Sequence, residues 1–356
     1  MSDRYLFPNR RDFLRVAGAT AGLAAIGSLP AAEKPELVRI GSGPWTYTLD
    51  ESWGKLPDGM KYGFGCAIVL DGQDRVFVTS RSTDPCVAVF DKDGKLLETW
   101  SNEFTEKVGF DTKQYADTAH GLYWSKEPDG EFLYWTENKS TNRTGPKFGR
   151  RVYKTDLKGK VLYTLGPGVP KTSTSDAFDF DSPTDVAVGP NGDIYVVDGY
   201  GSQLVHRFDK DFKLLKTIGG PGKQHGKFNT CHGVWVSTLR SAPEVYIADR
   251  ANNRVEVYSM ELEYKRTLPD YRLPCCFYQH AGHLYIPELG ARVSIIDADD
   301  KFVARLGDGK GFEKSIRQHP DKFATPHALT VDSRGDLYVI EWLDFGRPRK
   351  FRHTPA

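Results

Sequence analysis

One stretch of this chain cannot fold alone. Ser182 to Gly219 reads as four short strands in succession. Thr184 to Val188 alternates apolar with small or polar residues, and Pro190, Asn191 and Gly192 supply strong turn chemistry. Ile194 to Val197 is a continuous apolar run, the pattern of a strand covered on both faces. The chain turns at Gly199-Tyr200-Gly201-Ser202, runs back through Leu204 to Phe208, and turns again at Lys210-Asp211 before Leu214 to Ile218. A four-stranded meander of about 40 residues cannot cover its own faces and must stack on copies of itself.

The copies are Gly65 to Trp100, Ala119 to Gly166, Pro183 to Gly219, Cys231 to Leu268, Pro274 to Gly307 and Pro326 to His353. Their second strands align as Arg75-Val-Phe-Val-Thr, Phe132-Leu-Tyr-Trp-Thr, Asp193-Ile-Tyr-Val-Val, Glu244-Val-Tyr-Ile-Ala, His283-Leu-Tyr-Ile-Pro and Asp336-Leu-Tyr-Val-Ile. Six such units predict an all-β, six-bladed propeller. The last unit lacks a fourth strand, whereas Leu37 to Gly41 and Trp45 to Leu49 are strand-like and belong to no unit. An N-terminal strand is therefore expected to close the ring by completing blade six.

Blades add around an axis, so 356 residues can form one propeller domain, expected over 33–356. A formal net charge of +1 gives no reason to expect a nucleic-acid partner. Five cysteines, two of them adjacent, do not form a disulfide framework. Residues 1–32 stand apart. Asn9-Arg10-Arg11-Asp12-Phe13-Leu14 precedes a weakly apolar run from Val16 to Gly27, which resembles a bacterial twin-arginine export signal. Cleavage is expected near Ala31 or Ala32, leaving a folded periplasmic or extracellular protein with no stable membrane insertion. Asn138 and Asn142 open glycosylation tripeptides but read as ordinary loop residues.

The inter-blade linkers Ser101 to Thr118, Pro167 to Asp181, Gly220 to Thr230 and Asp308 to Thr325 are long and polar. Blade two adds an insertion, Asn138 to Arg150. In a four-strand meander these linkers and the turns after strand two share one face of the ring, so function is expected there. The basic segment Arg347 to His353 reads as solvated surface.

At the opening of strand one, beside the central channel, the blades place Cys66, His120, Thr184, His232, Cys275 and His327 in turn. Even-numbered blades carry histidine and odd-numbered blades do not. Alternate blades sit about 120° apart, so three imidazoles should converge on the axis. Three neutral histidines with an open fourth position form the donor set of a catalytic zinc ion; Fe, Co or Cu would suit the same ligands. His206, His225, His280, His283, His319 and His353 fall elsewhere in the repeat and read as structural or surface residues. The turns after strand two bring Arg81, Tyr200 and Arg250 to the same face, with Glu137, Glu288 and Glu341 at similar places in the other blades. Tyrosine beside a metal and arginines can act as a base, and the arginines can clamp a carboxylate. Asp198 and Asp249 read as turn-holding residues.

The blades are similar to NHL repeats. Thr118-Ala-His120-Gly-Leu, Pro183-Thr-Asp-Val-Ala-Val with Val197-Asp-Gly-Tyr200, Cys231-His232-Gly with Ala248-Asp-Arg250, and Thr325-Pro-His327 resemble the peptidyl-α-hydroxyglycine α-amidating lyase (peptidylamidoglycolate lyase) family. The resemblance runs from about Trp45 to the C-terminus. It implies that His120, His232 and His327 bind zinc, that Tyr200 is the base, and that Arg81 and Arg250 line the substrate site. The implied reaction cleaves the C–N bond of a carbinolamide to an amide and glyoxylate, on a peptide or small-molecule substrate. Two departures stand out. Ala328 follows the third histidine where the family has an aspartate tied to calcium, so calcium is not expected. No cysteine follows Tyr200, so the family's disulfide there is absent. The competing expectation is a non-catalytic NHL propeller that binds a protein or other ligand through its loop-bearing face. A lactonase-type hydrolase would need a metal site rich in carboxylates and amides, which three channel histidines do not supply.

Overall fold

The apolar second strands form the middle of each blade. Val76–Arg81, Gly130–Glu137, Ile194–Asp198, Glu244–Asp249, His283–Glu288 and Leu337–Glu341 are buried along most or all of their length. The outer strands Leu214–Gly219, Tyr264–Leu268 and Phe302–Leu306 are mostly solvent-facing. This gradient is the one expected when small twisted sheets pack face to face around an axis. The computed structural model describes residues 37–101, 112–145, 147–310 and 319–356, which form a six-bladed β-propeller. The expected export signal lies outside the described residues. Among those described, no helix is long and apolar enough to cross a membrane.

Blades one, three, four and five are four-stranded antiparallel meanders in chain order, and blades two and six each carry a fifth strand. Between blades the contacts are large and aromatic. Trp100 and Trp135, both fully buried, lie 5.9 Å apart between blades one and two. The Trp135 indole donates to Thr155 Oγ1 at 2.8 Å.

Ring closure follows the reading from sequence. Tyr47–Asp50 pairs antiparallel with Arg349–His353, setting Tyr47 opposite His353 and Leu49 opposite Phe351. Arg39–Ile40 adds a short fifth strand outside it. Two elements were not anticipated. Thr112–Thr118 is helical, and Ser175–Ala177 forms a parallel fifth strand on blade two.

The reading of Arg347 to His353 as solvated surface is corrected. Arg349, Lys350 and Phe351 are buried. Glu341 receives Arg347 at 2.9 Å and Arg349 at 3.2 Å, and Lys350 meets Asp336 at 2.9 Å. A basic strand can be buried here because carboxylates of its own blade neutralise it.

Candidate functional site

His120, His232 and His327 open the first strands of blades two, four and six, and all three are buried. Their ring centroids lie 4.7, 4.9 and 5.0 Å apart, close to an equilateral triangle. Each Nδ1 meets a backbone carbonyl of the next blade: His120 to Thr184 at 2.6 Å, His232 to Cys275 at 2.8 Å, and His327 to Cys66 at 2.6 Å. The odd-numbered blades, which lack histidine at this position, thus supply the carbonyls that orient it. Such close approach leaves no room for a side chain nearby. A Cβ on Gly233 would lie 2.2 Å from the Cys275 oxygen, and one on Gly121 would lie 2.6 Å from that of Thr184.

With each Nδ1–H donating, each Nε2 carries a lone pair directed at the axis. The Nε2 atoms of His120 and His232 are 3.2 Å apart, and that of His327 is buried with no hydrogen-bond partner. Burial pushes all three imidazoles below the ordinary histidine value, His327 to about 3. Three neutral donors facing one another repel unless a cation sits among them. Two nitrogens on one tetrahedral zinc at the usual bond length would be about 3.3 Å apart. The donor set therefore fits such an ion. The thiols at the same repeat position, Cys66 and Cys275, are not among the donors that converge on one point, which are the three imidazoles alone among the described residues.

Tyr200 reaches over this triangle from the turn after Ile194–Asp198. The residue is 41% exposed while its hydroxyl points inward, 3.3 Å from His120 Nε2, 3.1 Å from His232 Nε2 and 3.0 Å from Arg250 Nη1. Burial raises the phenol above its ordinary value, with Arg250 pulling it back. Asp198 fixes the turn by accepting from Asp181 N at 2.8 Å, Ser182 N, and Ser202 Oγ at 2.8 Å. Gly199 is required there, because a Cβ would overlap the Cys231 carbonyl at 1.8 Å.

Arg81 stands across the opening. Its Nε donates to the Ala119 carbonyl and its Nη2 to Asn138 Oδ1, each at 3.1 Å, and its guanidinium lies 5.1 Å from the Trp342 ring centre. Arg81, Asn138, Tyr200, Arg250, His327 and Trp342 line a cavity of about 310 Å³ above the imidazoles. Trp342 and Asn138 were not anticipated. Each directly follows the acid that ends strand two of its blade, the position whose side chain turns toward the opening.

Glu137, Glu288 and Glu341 do not face this cavity. All are fully buried and hold the chain that enters or leaves their own blade. Glu137 accepts from Tyr153 and Thr118, Glu288 from Arg292, and Glu341 from the amides of Ala324 and Thr325. Asp249 does the same with the Asn229 amide at 2.7 Å, in line with its reading as a turn-holder. In blade one, Ser80 Oγ takes this part, receiving Gly63 N at 3.2 Å. Asn138 is buried against Arg81 and Pro183, as suits a loop anchor. None of the five cysteines forms a disulfide.

Residues 180–208 match the NHL repeat. The human NHL repeat-containing protein 3 is 30% identical over 218 residues, 60% of this chain and 57% of that protein. A Caenorhabditis elegans protein named probable peptidyl-alpha-hydroxyglycine alpha-amidating lyase is 32% identical over 235 residues, 62% of this chain and 60% of that protein. The chain thus spans less than two thirds of the length of these curated relatives. Among solved structures, a streptogramin B lyase superposes with a TM-score of 0.51 at 14% identity, covering 86% of this chain and 98% of that one. A gluconolactonase from Xanthomonas campestris gives 0.57 at 13% identity, covering 89% and 94%. At these identities the likeness shows the fold alone. The chain is a six-bladed β-propeller that carries an NHL repeat and is similar in sequence to a protein named as an amidating lyase.

Proposed function

We propose that this protein is an exported, zinc-dependent lyase that cleaves the C–N bond of an α-hydroxyglycine-type carbinolamide, yielding an amide and glyoxylate. The observation that carries the reading is the Tyr200 hydroxyl, held within hydrogen-bond reach of two inward-facing imidazoles and of Arg250. The similarity to the C. elegans protein supports the substrate class.

His120, His232 and His327 would hold the ion, which when bound supplies a Lewis acid to polarise the substrate's hydroxyl. Arg81 and Arg250 flank the cavity on either side and are placed to receive the substrate carboxylate. Tyr200 is placed to take the hydroxyl proton, the raising effect of burial on its phenol being opposed by Arg250 and, when bound, by the charge of the ion. The C–O bond becomes a carbonyl as the C–N bond breaks, and the electron pair goes to nitrogen. The departing amide nitrogen gains a proton, so Tyr200 can return the one it took. Trp342 under Arg81, with Asn138 beside it, keeps the guanidinium from swinging out of the opening.

The test is release of glyoxylate from α-hydroxyglycine amides by zinc-loaded protein. Turnover that Tyr200→Phe abolishes is expected. Absence of turnover with zinc bound overturns the lyase reading. Export by the twin-arginine route is part of the proposal, resting on Arg10 and Arg11. Changing both to Lys should leave the protein in the cytoplasm, and unchanged export would refute it.

A further inference from the structure

Beneath the imidazoles lies a second chamber of about 380 Å³, running along the first strands toward the opposite face of the ring. His327 lines both cavities, so the histidine layer divides them. Asp185, on blade three, is the one acidic residue of the lower chamber. Its Oδ2 accepts from Val234 N at 3.2 Å, and its Oδ1 lies so close to Gly121 that a Cβ there would come within 2.8 Å. Among the described residues it forms no ion pair, and the chamber's one basic residue, Lys126, is exposed.

The walls that flank this charge, from blades two, four and five, are aromatic. Tyr123, Trp235 and Tyr278 make a continuous arc with ring centres 5.4 and 5.7 Å apart. The Tyr123 hydroxyl is committed to the Val188 carbonyl at 3.2 Å, and the Trp124 indole N–H to Glu131 at 3.0 Å. Within the arc itself the Trp235 indole N–H is buried without a partner, so the wall offers ring faces and one free donor. A carboxylate that has backbone partners but no cation, in a chamber lined by aromatic rings, matches an organic ammonium ion, which neutralises the charge and lies on the ring faces. A hard metal cation would need many more oxygen ligands than one carboxylate gives. The volume is within the range of small-molecule sites.

We propose that the lower chamber binds a small organic ammonium ion, its charged head paired with Asp185 and its apolar part along Tyr123, Trp235 and Tyr278. The site is separate from the lyase reading and needs no turnover to be seen. The experiment is calorimetric titration of the full, zinc-loaded chain with phenethylammonium at mildly alkaline pH, with phenethyl alcohol as the uncharged probe of the same shape. Saturable binding at one site is expected, weakened about 10-fold or more for the alcohol and for Asp185→Asn, and unchanged in Arg81→Ala. Equal binding of the two probes, no saturable binding of the ammonium, or an unaffected Asp185→Asn would overturn the proposal. Should Asp185→Asn fail to fold, the pair of probes on the unmodified chain decides the matter: ammonium binding about 10-fold tighter than that of the alcohol supports the site, and equal affinity rules it out.

Discussion

His120 Nδ1 lies 2.6 Å from the carbonyl oxygen of Thr184, a residue 64 positions away that opens the neighbouring blade at the same repeat position. That bond fixes the tautomer and sends Nε2 to the axis. The same relation recurs from His232 to Cys275 and from His327 to Cys66, so the ring builds its triangle of lone pairs from two alternating sets of residues.

The first consequence concerns metal content. Zinc-loaded protein should carry about one ion per chain, and His120→Ala, His232→Ala or His327→Ala should each lose it. The circular dichroism of each variant should keep its β signature, because blade packing rests on the buried second strands. Full metal occupancy in all three variants would exclude the triangle as the site.

Tyr200→Phe removes one hydroxyl and leaves the ring at the cavity edge. As a general base it should lose about 10²- to 10⁴-fold in kcat while keeping its zinc. Equal rates in wild type and variant, measured as glyoxylate release, would assign the base elsewhere.

Arg81 is anchored by Asn138 and Trp342, which gives the clamp a separable readout. Asn138→Ala should raise KM for a carboxylate-bearing substrate about 10-fold, with kcat less affected, because it loosens binding and not proton transfer. An equal fall in kcat with unchanged KM would contradict this. Arg81→Lys should not restore a bidentate contact.

Burial raises the Asp185 carboxyl to about 7, with the amides of Val234 and Val186 drawing it back. An unfolded aspartate titrates at about 3.9. Between those values the folded chain holds a proton that the unfolded chain has released, so stability falls as pH rises and the cost is full above about 7. Asp185→Asn should therefore stabilise the protein at pH 8 by an amount on the order of 2 kcal/mol, and by little below pH 4. Urea unfolding at both pH values measures it, and an equal effect at the two would contradict the raised value.

Tyr47 is 1% exposed and lies in the strand that closes the ring. Tyr47→Ala should cost about 3–5 kcal/mol, as loss of a buried aromatic does. Thermal unfolding reads the shift. A change below about 1 kcal/mol would mean that closure does not depend on this strand.

The sequence by itself determined the ring. Second strands of the form apolar-aromatic-apolar, with Tyr in five blades and Phe in the first, recur with turn residues between them, and only stacked blades can cover such strands. It also determined that an N-terminal strand within Leu37 to Leu49 completes blade six, because the last repeat is one strand short; the structure sets that strand at Tyr47–Asp50. The even-blade histidines were legible as ligand candidates for the same reason: a repeat position maps to a fixed place around the axis. What the repeat could not tell was which neighbouring side chain wins each turn. Glu341 and Trp342 are adjacent, and only the folded linker, whose amides at Ala324 and Thr325 need an acceptor, draws the acid inward and leaves the indole facing the cavity. Burial of Lys350 likewise depends on Asp336, a partner that strand pairing alone brings to it. The carbonyls of Thr184, Cys275 and Cys66 carry no side-chain signature at all. Their role came into view only with the tertiary structure, because a backbone oxygen acquires chemistry from what is packed against it.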